Sequence, residues 1–385
     1  MGILTIEEFG LGDSRIREFA MLPWRLFRGD PFWTPPLTAD LLGSKLLGTT
    51  GLLTSEHPYH RHAEVTHFIV RRGGRAVGRI SAAINHQFNE YHRVRLGFFG
   101  FFNVARDYEA ASMLLDSAKE WIAARGMLAM RGPGEYSNAT HERQGVLIDG
   151  FDTPPTIECT HNPPFYGEFL EQWGLRKVKD YYAYLFDLND VPAKRVAAIA
   201  GAVRRRGHIE TRVARLEDLR DEILRVIQIY NQAWANNWGY LPITEGEAIS
   251  IADTLKPIID PGLIRFANID DELVAVLGAF PDPNWALRPR WGFLGDSDLV
   301  RVARLMAVRR HIPRVRLMFF GIVPKHRRAG VDALLFDEAY RYALTRGYRS
   351  VEASLLLEDN DLILRASETF GGKRYKTWRI YQHDL

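Results

Sequence analysis

Apolar positions alternate with polar ones in two stretches that read as hairpins. HFIVRRGGRAVGRISAAI turns at Gly73-Gly74, and LIRFANIDDELVAVLGAF turns near Asp270-Asp271. Each is followed by a short, strongly apolar run, RLGFFGFFNV near Arg95 and VRLMFFGIV near Val315, which the pattern predicts as buried strands. Each run leads into a helix. In the first, Ala111, Leu114, Leu115, Ala118, Trp121 and Ile122 recur at helical spacing; in the second, Val331, Leu334, Leu335, Ala339 and Tyr342 do. The helices close at Gly126 and Gly347.

The order of elements repeats, and so do particular residues. Glu171, Gly174, Lys179 and Tyr184 in EQWGLRKVKDYYAY match Glu368, Gly371, Lys376 and Tyr381 in ETFGGKRYKTWRIY at one constant offset, with Trp173 against Phe370. Two copies of one mixed α/β unit are the simplest account. The predicted boundary lies at Leu188–Pro192, giving domains 1–190 and 191–385, with PAKRVAAIAGAVRRR as a connecting helix. The first copy carries an inserted, turn-rich stretch from Gly132 to Tyr166, of the kind that forms binding loops or lids.

Length and composition fit this picture. A chain of 385 residues suits two domains, and 46% hydrophobic with 25% charged residues is ordinary for a globular protein. A net charge of +3 gives no argument for nucleic acid. The single cysteine, Cys159, excludes an internal disulfide and fits a reducing compartment. There is no signal-peptide pattern and no apolar run near the ~20 residues a membrane span needs. The expected location is the cytoplasm, with surface contact to a membrane left open. His57, His60, His62 and His67 match no strong metal spacing, so no metal is expected.

The chemistry concentrates in PKHRRAGVDALL. Arg327, Arg328, Ala329, Gly330, Val331 and Asp332 lie between a predicted strand and a predicted helix. Such a loop turns backbone N–H groups toward an anion and adds the positive end of the helix dipole. Gly330 has no Cβ to block a close approach.

This segment resembles the acyl-CoA-binding motif of the Gcn5-related N-acetyltransferase (GNAT) superfamily, Gln/Arg-x-x-Gly-x-Gly/Ala. Arg327 and Gly330 match it; Asp332 stands where a small residue is usual. The resemblance covers about residues 208–385, and the repeat makes the chain look like a tandem GNAT protein. It implies an α/β fold of two GNAT-like units, each a central mixed, mostly antiparallel sheet flanked by helices. The first copy reads ARDYEAASMLL after Val104 and lacks the phosphate loop, so the second half is expected to bind acetyl-CoA or a longer acyl-CoA.

The resemblance also implies roles. A backbone N–H at Ile322 or Val323 polarises the acyl carbonyl. Glu352 is the best placed base. Counting on from Asn360 reaches Ser367 where the family often has its tyrosine acid; Tyr375 and Tyr381 are nearby on the last predicted strands, where packing alone would also explain them, and Tyr375 is taken as the candidate. Asn360 is expected to touch the pantetheine arm and cap the next helix. Trp234, Asn236, Asn237, Trp238 and Tyr240 occupy the place of the acceptor pocket; Trp285 and Trp291 flank a second turn-rich loop. Aromatics beside amides suit a small-molecule or lipid amine. Bacterial ceramide synthases are similar to this chain in size and type. Two other readings stay open: a non-catalytic tandem GNAT-fold binding protein, and a Fem-like aminoacyl-tRNA-dependent transferase, which needs a basic groove. The oligomeric state is not legible.

Overall fold

The computed structural model describes residues 2–136, 143–289 and 297–385. The first repeat opens with β1 (Leu4–Phe9), α1 (Ile16–Leu26) and α2 (Thr38–Leu42). It continues through β2 (Ala63–Arg72), β3 (Arg75–Asn85), α3 (His86–His92), β4 (Leu96–Val104), α4 (Tyr108–Ala124) and β5 (Ala129–Gly134). β6 (Val146–Asp149), α5 (Phe165–Trp173) and β7 (Arg176–Asp187) complete it, and α6 (Ala193–Arg204) is the expected connecting helix. The second repeat begins with β8 (Ile209–Val213), α7 (Leu219–Ala233), α8 (Glu245–Leu255), β9 (Ile264–Ile269) and β10 (Glu272–Pro281). After α9 (Asn284–Leu287) and α10 (Asp298–Val308) come β11 (Arg314–Ile322), α11 (Val331–Thr345), β12 (Ser350–Leu357), α12 (Asp361–Thr369) and β13 (Lys373–Asp384).

Both hairpins form where the sequence puts them, and for the same reason. Gly73 and Gly74 have φ of 58° and 79°; Asp270 and Asp271 have 49° and 64°. Two consecutive positive φ angles match the twist of the flanking strands. Gly and Asp bear that conformation better than most residues.

Two compact units result, and neither is a contiguous half. One comprises Met1–Tyr182, Leu287–Val302 and Lys376–Leu385; the other comprises Ala183–Ala286 and Ala303–Tyr375. In the first, the strand order is β1-β2-β3-β4-β5-β13, and β6 pairs with β13. All these pairs are antiparallel except β4 with β5. In the second, β8, β9, β10 and β11 are antiparallel neighbours, β11 and β12 run parallel, and β12 borders β7.

A single cut near residue 190 therefore misses an exchange. The last strand of the second repeat, β13, completes the first unit, and the end of β7 belongs to the second. The matched residues record this reciprocally. Tyr381 donates to Glu171 Oε1 at 2.9 Å in the first unit, and Tyr184 donates to Glu368 Oε1 at 3.1 Å in the second. β7 and β13 also share one burial pattern, position by position. The segment Leu287–Val302 joins the first unit through Arg301. Its buried guanidinium donates to the carbonyls of Leu287, Pro35 and Pro36.

The first unit's core fills around α4, whose six expected apolar residues are all buried. The inserted stretch is not wholly irregular, since it supplies β6. His67 is fully buried, hydrogen-bonded to the Tyr136 hydroxyl at 2.7 Å and stacked on Phe9. Burial holds its pKa down to about 3, so it packs as a neutral ring. No group of residues suited to a metal ion occurs among the described residues.

β13 should therefore carry first-unit stability. Trp378 is fully buried and donates to the Thr160 carbonyl at 2.9 Å. Trp378→Ala is expected to cost about 3–5 kcal/mol in urea unfolding. A loss below about 1 kcal/mol would mean that the strand is only draped on this unit.

Candidate functional site

In the second unit, β11 and β12 pair from Arg314↔Ser350 to Leu317↔Ala353. Both strands then continue, to Ile322 and Leu357, beyond that register. Leu355, at φ 23°, breaks the regular course of β12 just past the last pair. Two parallel strands that stop pairing while still extended leave backbone N–H and C=O groups facing an opening.

Val323 cannot supply an N–H there, because its own donates to the Val274 carbonyl at 2.9 Å. Successive residues of a strand point their N–H groups to opposite edges. The Ile322 N–H therefore faces the β12 side. Of the two residues expected to polarise the carbonyl, Ile322 is the one whose N–H faces that side.

Side chains alternate as well. Val315, Leu317 and Val351 pack with Ala343 of α11 and Tyr348. Arg314, Arg316, Glu352 and Ser354 share the other face by register. Glu352 is 0% exposed, so it is no solvated strand carboxylate. It accepts a short hydrogen bond from the Tyr375 hydroxyl, which brings the two expected catalytic residues together. Around them, Arg316 donates to Ser354 Oγ at 2.9 Å, and Arg314 pairs with buried Asp282 at 2.7 Å. Burial acts to lower the Arg314 pKa, but Asp282 and Glu352 outweigh it and hold the guanidinium charged.

The loop after β11 is a short turn, Pro324–His326, leading to α11. Gly330 is the N-cap residue of α11 at φ 80°, and no side chain caps the helix. Its first-turn N–H groups are the kind of donors that seek an anion. Val331 is buried, while Asp332, half-buried in the first turn, is an opposing charge. Arg327 is turned away: it donates to the Ala233 carbonyl at the end of α7 at 2.8 Å. Arg328 is exposed, and Ala329 closes the turn onto His326 at 3.0 Å.

Gly330 is not open on all sides. A Cβ there would lie 2.6 Å from Val203 Cγ2 of α6. The contact arises because α6 packs onto α11 through Val203, Ala200 and Leu334. The sequence marked α6 as a helix; its seat is a tertiary fact.

The equivalent junction in the first unit is closed. Asp107 is the N-cap of α4, accepts from Ala110 N at 3.2 Å and pairs with Arg72 at 2.6 Å. A carboxylate already occupies the place an anion would take.

Asn360 caps α12, its side chain accepting from Ile363 N at 3.5 Å. Tyr240 is buried, with its hydroxyl on Asn231 Oδ1 at 3.0 Å and its ring against Tyr230, which Trp234 meets edge-on. These residues form a packed aromatic group. Asn236 is exposed; Asn237 and Trp238 are half-buried. Trp285 is 48% exposed on α9; Trp291 lies outside the described residues.

Known structures share this architecture. A tandem GNAT protein from the clavulanic acid biosynthesis pathway matches with a TM-score of 0.55 at 14% identity, over 99% of this chain and 98% of that one. A GCN5-related N-acetyltransferase from Sphaerobacter thermophilus matches with a TM-score of 0.51 at 14% identity, over 99% and 95%. The fold is that of a tandem GNAT protein. The chain is 32% identical over 381 residues to the bacterial ceramide synthase of Caulobacter vibrioides (strain NA1000 / CB15N), covering 97% of this chain and 95% of that protein. It is 28% identical to protein YghO of Escherichia coli (strain K12), over 97% and 94%. No family model matches. The chain belongs to the bacterial ceramide synthase family, and it is an N-acyltransferase.

The Gly330–Val203 contact is open to a double-mutant cycle. Gly330→Ala should cost about 1 kcal/mol for the left-handed backbone plus a clash term, and Val203→Ala in the same chain should remove the clash term. Strict additivity of the two changes would show that α6 does not seat on Gly330.

Proposed function

We propose that the second unit transfers an acyl group from acyl-CoA to a lipid amine of the sphingoid type. The observation that carries this reading is the uncapped start of α11 at Gly330, at the end of a strand pair that has stopped pairing. The pyrophosphate would lie on the α11 N–H groups, with exposed Arg328 as its counter-charge and Arg327 pinning the loop to α7. The thioester would enter between β11 and β12, with its carbonyl oxygen on the Ile322 N–H. The likeness to the Caulobacter ceramide synthase supports a sphingoid acceptor and a fatty acyl donor.

The amine arrives as an ammonium ion and must lose a proton to attack. Glu352 is buried, so the group that meets the amine is Tyr375. Its oxygen takes the amine proton while its own proton passes to Glu352. The nitrogen then attacks the acyl carbon. A C–N bond forms, the C–S bond breaks, and the second nitrogen proton goes to the sulfur, so CoA leaves as a thiol. Arg314, held by Asp282, shares the strand face of Glu352 and brings a positive charge to that side of the site. An aminoacyl-tRNA donor has no such support, since the site is a helix start rather than a basic groove.

Release of CoA thiol from palmitoyl-CoA with a sphingoid amine is the assay. Tyr375→Phe and Glu352→Gln should each lower kcat by about 10²–10⁴-fold with KM for palmitoyl-CoA nearly unchanged. Arg328→Glu should chiefly raise that KM. Full kcat in Tyr375→Phe would remove the relay.

A further inference from the structure

The first unit holds a cavity of about 120 Å³ that the transfer chemistry does not use. It lies between the ends of β4 and β5 and the segment that follows α1, and its walls include Trp24, Trp33, Phe102 and Val146. A dry, apolar cavity of comparable size, about 150 Å³, accepts a benzene-sized guest.

Its charged members are committed elsewhere. Arg79 donates to the Phe19 carbonyl and to Asn103 Oδ1, at 2.6 and 2.9 Å. Arg143 pairs with Glu135 at 2.5 Å and Glu158 at 3.4 Å. Two wall atoms are not committed. Thr34 Oγ1 and His161 Nδ1 are buried with no hydrogen-bond partner among the described residues. The His161 side chain is only 4% exposed. An unmet polar atom at that depth carries a real cost, so a partner is expected to fill it.

The chemistry of the partner follows from how His161 is held. Its Nε2 lies 3.0 Å from Asp30 Oδ2, and Asp30 Oδ1 accepts from the backbone N–H groups of Phe32 and Trp33 at 2.8 and 3.2 Å. Burial opposes the Asp30 charge, but the His161 bond and these two donors outweigh it, so the carboxyl lies below its usual range. An anionic Asp30 requires the proton on Nε2. In the neutral ring Nδ1 then presents a lone pair, and Thr34 offers a hydroxyl able to donate. A ligand hydroxyl can give to the first and accept from the second, and the walls call for an apolar body behind it.

We propose that this cavity is a binding site for an apolar molecule or chain end bearing a hydroxyl group, read by His161 Nδ1 on its Asp30 support. The site is independent of the acyl transfer assigned to the second unit.

The test uses the full chain and two isomers of equal size, 1-butanol and 1-methoxypropane, of which only the alcohol can donate. With ¹⁵N-labelled histidine, 1-butanol should shift the His161 Nδ1 resonance and bind about fivefold more tightly than the ether. Asp30→Asn together with His161→Phe keeps the ring and leaves no unpaired carboxylate; it should bring the two affinities together. If that variant does not fold, the wild-type resonance decides alone. Equal binding of the isomers, or an unmoved Nδ1 signal at saturating 1-butanol, overturns the proposal.

Discussion

A helix begins with backbone N–H groups that nothing inside the helix can satisfy, and this protein's two repeats meet that constraint in opposite ways. At α4 the chain supplies its own anion, Asp107, and ties it to Arg72. At α11 it supplies Gly330, whose left-handed backbone turns the strand into the helix and brings no side chain. One junction is capped by the chain itself; the other carries no side-chain cap. Glu352 and Tyr375, the proposed proton relay, lie in the same unit as the uncapped junction.

The exchanged strands tie the repeats' histories together. Each unit ends on a strand that the other repeat encodes, and each tyrosine–glutamate bond joins residues of different repeats within one unit. Neither repeat can be cut away without removing a core strand from the unit left behind. The first repeat, whose α4 start is already capped, thus supplies part of the second unit's sheet.

What the sequence disclosed was local. The Gly73-Gly74 and Asp270-Asp271 turns, the α4 stripe and the Gly330 junction all follow from residues near one another in the chain. What it hid was tertiary. A repeat of Glu171 and Tyr184 in Glu368 and Tyr381 reads identically whether the strands stay home or exchange. Val203 against Gly330, and His161 against Asp30 across 131 positions, leave no periodic trace. Glu352 is the best placed base in the sequence, but one glutamate in an apolar strand does not announce its burial; the facing Tyr375 and the nearby Arg314–Asp282 pair help to make that burial tolerable. Tyr240 shows the reverse, an aromatic expected at a pocket that packs into the fold.

The central claim is that acyl-CoA binds at the open junction and not at the closed one. Hydrogen exchange of the full chain, read by mass spectrometry with and without palmitoyl-CoA, tests it most directly. The account predicts slowed exchange in a peptide spanning Ile322 to Leu334, with no change from Val104 to Ala111. Protection of the Asp107 segment, with the Gly330 segment unaffected, would contradict it.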